Sequence, residues 1–129
     1  MFRFIKVLNG NAQADVHLLK CNNNTFVLGE ALVCTGGLAT SPSANAAPDY
    51  ISLTRNYLTH HQKLDAIVVT ENSVFKVEYT GTVTPYVGMP VGLSTYNYKM
   101  DAVTYNTNGK GIVLKVSDDA KFVYVRFRK

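Results

Sequence analysis

Nine carboxylates and three histidines are the residues of this 129-residue chain that could carry acid–base or metal chemistry. A glycosidase-like pair would have to come from Asp15, Glu30, Asp49, Asp65, Glu71, Glu78, Asp101, Asp118 and Asp119. Most of these stand beside turn residues, where carboxylates serve solubility and turn formation. Asp118-Asp119 reads as turn chemistry, because no further oxygen ligands follow at calcium-loop spacing. His60-His61 is the one local pair of metal-ligand types, and neighbours on a strand face opposite sides, so the pair reads as surface or strand-end histidines. His17 stands alone in Val16-His17-Leu18-Leu19 and reads as a strand residue. Gly36-Gly37 and Gly88-Met89-Pro90-Val91-Gly92 lack the lysine and the following helix of a phosphate-binding loop, and no Gly-x-Ser-x-Gly elbow is present. The expectation is a protein that is not an enzyme, with no cofactor and no metal.

Composition narrows the partners. The net charge is +4 and 17% of residues are charged. Apart from Arg126, Arg128 and Lys129 the basic residues are scattered, so no continuous nucleic-acid stripe reads from the sequence. Arg3 and Lys6 interrupt the apolar run at Met1–Leu8, and Asn9-Gly10-Asn11 follows, which is not the pattern of a signal peptide. No stretch reaches the roughly 18 apolar residues of a membrane span, so no membrane is expected. Cys21 and Cys34 are then expected to be reduced and buried, with a bridge between neighbouring strands or a two-cysteine zinc site as lesser alternatives. Asn23-Asn24-Thr25 matches a glycosylation sequon only formally.

The elements that would hold these residues are strands. Lys121–Arg128 alternates at period two, with Val123, Val125 and Phe127 on one face and Phe122, Tyr124, Arg126 and Arg128 on the other. Strands are expected at about Phe2–Leu8, Val16–Cys21, Phe26–Cys34, Tyr50–Thr59, Leu64–Thr70, Val74–Thr80, Tyr86–Leu93, Met100–Asn106, Gly111–Val116 and Phe122–Arg128. Tight hairpins are expected at Glu71-Asn72-Ser73, Asn106-Thr107-Asn108-Gly109 and Ser117-Asp118-Asp119-Ala120, giving a ladder of sequence-local antiparallel pairs. The predicted fold is a single all-β domain, a compact antiparallel β-barrel or β-sandwich of short hairpin-linked strands. A long loop or arm over residues 35–49 interrupts it, and residues 1–8 are a candidate N-terminal arm.

Aromatic residues allow one binding chemistry. Tyr96 and Tyr98 share a face beside Lys99, as on an oligonucleotide-stacking barrel, but cross-strand packing is the ordinary use of tyrosine in β proteins. A carbohydrate platform would usually use Trp, and the chain has none.

The order of segments carries a resemblance. Phe26-Val27-Leu28-Gly29-Glu30-Ala31-Leu32-Val33, Gly36-Gly37-Leu38 and Pro48-Asp49-Tyr50-Ile51-Ser52-Leu53 are followed by Tyr79-Thr80-Gly81. Tyr86-Val87-Gly88-Met89-Pro90-Val91-Gly92-Leu93, Gly109-Lys110-Gly111-Ile112-Val113-Leu114 and Phe122-Val123-Tyr124-Val125-Arg126-Phe127 complete the series. Over residues 26–129 this resembles the small β-rich head decoration, or capsid cement, proteins of tailed bacteriophages and prophages. The resemblance implies a barrel or sandwich that binds the outside of the major capsid protein lattice, commonly as a trimer, and clamps it against internal DNA pressure. It implies a place on the virion surface after synthesis in the bacterial cytoplasm, and it transfers no catalytic residue. The partner-contact candidates are Phe2, Phe4, Leu38, Pro42, Pro48, Tyr96, Tyr98 and Arg126, with Phe2–Leu8 and the Thr35–Asp49 loop as arms able to add to a partner's sheet. The alternative is a β-barrel binding module for oligonucleotide or carbohydrate in a phage or bacterial protein.

Overall fold

A computed structural model describes residues 1–8, 14–21, 26–53, 63–96 and 99–129. The fold is all-β. Its strands are β1 (Arg3–Val7), β2 (Val16–Cys21), β3 (Ala31–Thr35), β4 (Leu38–Thr40), β5 (Tyr50–Ser52), β6 (Lys63–Val68), β7 (Ser73–Thr80), β8 (Pro90–Tyr96), β9 (Lys99–Tyr105), β10 (Gly111–Val116) and β11 (Phe122–Phe127).

These strands make two rings. The first is a closed barrel in the order β2-β4-β3-β5-β6. The second sheet runs β1-β7-β11-β10-β8-β9, and a further pairing of β7 with β9 closes β7 through β9 into a ring of five. The two rings have the same connectivity. In each, the first strand pairs parallel with the third, β2 with β4 and β7 with β9, and every other pairing is antiparallel. Registers correspond as well: Leu19 opposes Leu64 where Val77 opposes Val123, and all four are buried. The chain is thus a tandem of one five-strand plan.

A glycine turn opens the second strand of each ring. The Val27 carbonyl accepts from Glu30 N–H at 3.3 Å, and the Tyr86 carbonyl accepts from Met89 N–H at 3.1 Å. Gly29 (φ 79°) and Gly88 (φ 89°) occupy the left-handed third position that such turns reserve for glycine. Gly29 N–H donates to the Ser52 carbonyl and Gly88 N–H to the Val113 carbonyl, both at 2.8 Å. This turn is why β3 begins at Ala31 and β8 at Pro90, several residues after the expected starts at Phe26 and Tyr86.

The core follows the alternation of the strands. Leu19, Phe26, Leu32, Ala39, Leu64 and Ala66 fill the first barrel. Phe75, Val77, Val91, Leu93, Val103, Val113, Val123, Val125 and Phe127 fill the second, and Ala31, Ile51 and Ile67 from the first ring join that same cluster. Strands β3 and β5, and β6 at Ile67, therefore bury both faces, one inside their own barrel and one against its neighbour.

Several expected connections differ. Glu71-Asn72-Ser73 joins the two rings rather than closing a hairpin, since β6 and β7 lie in different sheets. Asn106–Gly109 links β9 to β10, which both flank β8. Its glycine is required by close approach: a Cβ at Gly109 would lie 2.1 Å from the Val91 carbonyl oxygen. Ser117–Ala120 does close the β10–β11 hairpin. The two parallel pairings also replace a purely local antiparallel ladder, because each ring is closed by a long-range contact. The long loop begins later than expected, at 41, since Leu38–Thr40 pairs with β3 across the Gly36-Gly37 turn. It is seated on the second ring, with Leu93 N–H donating to the Ala44 carbonyl at 3.0 Å and Asn106 Nδ2 to Asn45 Oδ1 at 2.7 Å. Of the expected strand Tyr50–Thr59, residues 54–59 lie outside the described residues.

Candidate interaction surface

The outer face of the second ring concentrates cations and aromatics. Strands β1, β7, β11 and β10 lie side by side, and a groove of about 490 Å³ is lined by Ile5, Lys6, Leu8, Val74, Leu114, Lys115 and Tyr124. Alternation along β11 sends Val123, Val125 and Phe127 inward and Phe122, Tyr124 and Arg126 outward, as the sequence pattern predicts. Lys76 Nζ stands 5.0 Å from the Phe122 ring centre and 5.9 Å from that of Tyr124, and Lys115 Nζ stands 5.3 Å from Tyr124. These are cation–π distances. Lys76 and Lys115 escape sequence reading because they meet Tyr124 only through cross-strand register, Lys76 and Lys115 being its partners in β7 and β10.

A second polar cluster lies where β1, β3 and β9 approach. Glu30 is 2% exposed, its Oε1 has no hydrogen bond among the described residues, and Lys99 Nζ lies 4.0 Å away. Burial pushes the Glu30 carboxyl up to about 7; Lys99 opposes that rise and Asp101 adds to it. The Met1 ammonium bonds to Glu78 and donates to the Asp101 carbonyl at 2.6 Å. Met1 also packs on Gly29, whose carbonyl accepts from Phe2 N–H at 2.9 Å. This cluster fastens the chain start to the second ring.

The partner-contact candidates separate by burial. Phe2 is 3% exposed, its ring 6.1 Å from Phe75 and 5.9 Å from Phe127, so it is core. Phe4 is half-buried against Phe75, and the candidate arm around them is β1, hydrogen-bonded to β7. Pro42 and Pro48 are buried and Leu38 is half-buried. Arg126 is half-buried on the outer face of β11. Tyr98 and the side chain of Tyr96 lie outside the described residues, as does His60-His61. Arg126 therefore lies on the cationic face, while Phe2, Pro42 and Pro48 are buried within the chain.

Cys34 is exposed rather than buried, because it lies at the end of β3 beyond the apolar part of that strand. Ala39 is the register partner of both Cys34 and Cys21, on its two sides. Two strand spacings, roughly 9–10 Å, separate the cysteines, which is too far for a bridge. His17 Nδ1 lies 3.1 Å from the Tyr50 hydroxyl at one mouth of the first barrel. No three of His, Cys, Asp and Glu gather as metal ligands among the described residues.

No protein-family model and no curated protein sequence matches the chain.

Proposed function

We propose that the protein is a structural virion component, a decoration or cement protein that binds the outer surface of a tailed-phage head and stabilises it. The observation that carries this reading is the tandem of two barrels, joined where Ala31, Ile51 and Ile67 of the first ring pack into the core of the second. That architecture makes a stiff block whose outer faces still carry apolar side chains, including Leu18 at 59% and Val87 at 67% exposure. A stiff block with scattered apolar contacts suits a lattice partner, because many modest contacts sum by avidity when both surfaces repeat. The partner on this reading is the major capsid protein lattice, met as a trimer. The test is head stability. Adding the protein to undecorated heads is expected to raise the temperature at which they release DNA, and an unchanged release temperature at saturating protein contradicts the reading.

The groove over Tyr124 supports a second reading, an oligonucleotide-binding module. Aromatic rings flanked by Lys76, Lys115 and Lys6 are the ingredients of a single-strand platform. It predicts DNA affinity that falls steeply with salt and is lost in Tyr124→Ala.

A further inference from the structure

The tandem plan exposes a difference between its two copies. In the second ring, the N-terminal half of the first strand is covered: β1 lies antiparallel against β7, with Lys6 opposite Val74 and Arg3 opposite Lys76. The C-terminal half of that same edge pairs with β9. In the first ring the corresponding strand is β2. Its C-terminal end pairs with β4 at Lys20 and Cys21, in the way β7 pairs with β9. No described strand lies along the other half of that edge. By register, Val16 and Leu18 occupy the places of Val74 and Lys76.

The open edge has its hydrogen-bonding groups aimed outward. Val68 N–H donates to the Asp15 carbonyl, so alternation turns Asp15, His17 and Leu19 toward β6. The N–H and carbonyl groups of Val16 and Leu18 then point the other way, to the open side. Their side chains are 53% and 59% exposed, whereas Val74 is 2% exposed beneath β1. An uncovered strand edge with apolar side chains is a template for another strand.

We propose that the open edge of β2 is a strand-docking site for an extended basic–apolar segment of a partner protein, laid antiparallel along Val16–Leu18 as β1 lies along β7. Two features choose this occupant. The segment that fills the corresponding place, Arg3-Phe4-Ile5-Lys6-Val7, combines two basic residues with three apolar ones. Charge is complementary, since residues 14–72 carry five acidic and three basic side chains while 1–8 and 73–129 carry ten basic and four acidic ones. Asp15 and Asp65, both exposed, flank the edge, Asp65 directly across from Leu18. The mode is β-augmentation, in which main-chain bonds give affinity and alternate side chains give selectivity. The site stands independently of the head-decoration reading, which would only make that partner a lattice subunit.

The probe is a synthetic peptide with the sequence of residues 1–8, added to the full chain, with hydrogen exchange followed at single amides by NMR. In the free protein, Val16 and Leu18 amides are expected to exchange at least about tenfold faster than those of His17 and Leu19. Saturating peptide is expected to slow Val16 and Leu18 to the rate of their neighbours. Leu18→Pro removes only an outward N–H, which edge strands tolerate, and is expected to abolish the peptide's protection of the Val16 amide. Leu18→Lys, which leaves the backbone unchanged, is expected to weaken it at least about tenfold by repelling a basic segment. Unchanged amides at saturating peptide overturn the proposal, as does protection already complete in the free protein. Faster exchange of the β1 amides on adding peptide, with Val16 and Leu18 unchanged, would mean that the peptide replaces β1 on β7, and a doubled mass without peptide would make the occupant a second copy; either overturns it. Equal binding of a peptide with Glu in place of Arg and Lys overturns the basic preference.

Discussion

Glu30 sits at the end of the glycine turn that starts β3, and burial lifts its pKa from 4.5 to about 7, with Lys99 opposing and Asp101 reinforcing. Between those values the folded carboxyl keeps a proton that the unfolded chain has released. The contribution of Glu30 to stability is therefore fullest below pH 4.5, declines as pH rises toward 7, and is flat beyond, a difference of about 3 kcal/mol. Denaturant midpoints at pH 4.5 and 8 are expected to differ in this sense, and Glu30→Gln is expected to remove most of the difference. Ala120 holds φ 58° in the β10–β11 turn, a conformation that costs a residue with a Cβ about 1–2 kcal/mol. Ala120→Gly, after the entropy glycine adds to the unfolded chain, is expected to stabilise by about 0.5–1 kcal/mol in thermal unfolding. The Cys34 thiol is exposed, and desolvation together with Asp49 raises its pKa above 9.0. Native alkylation is expected to go to completion at pH 9.5 and to be slower at pH 7.5 than for a free thiol, because thiolate is the reacting form.

At the scale of elements, β-branched and aromatic runs bounded by turn residues made β2, β10 and β11 legible in the sequence almost to the residue, and in β11 period-two alternation also marked which face is buried. Pairing was less legible. Turn residues predict local hairpins, and Gly109 read as one of them, although it is glycine because the Val91 carbonyl crowds it. The repeat was visible in principle: Val27-Leu28-Gly29-Glu30 and Tyr86-Val87-Gly88-Met89 stand at the same place in each ring. Only the glycine is shared between them, so the likeness emerges from φ and hydrogen bonding rather than from residue identity. Substitution separates their roles. Gly88→Ala meets open space and is expected to lose about 1 kcal/mol to backbone strain alone. Gly29→Ala adds a clash with Met1 Cγ, 1.9 Å from the new Cβ, and is expected to cost more by dislodging the chain start. Paired melting curves check both. The cationic face was hidden for the same reason as the repeat, since Lys76 reaches Tyr124 only through the long-range β7–β11 register.

At the scale of the whole molecule, Ala31, Ile51 and Ile67 couple the two rings, so the chain should unfold as one unit. Ile51→Ala is expected to lower stability by about 2–5 kcal/mol while both spectroscopic and calorimetric probes still report a single transition. Trimerisation predicts a solution mass near three times 14.2 kDa, read by light scattering. Decoration of a phage head by this block is tested by cosedimentation with undecorated heads alongside single-stranded DNA across a salt series. Saturation at a fixed number of copies per head, with little retention on DNA, is the predicted result. No pelleting with heads, together with DNA binding that weakens as salt rises, would contradict it.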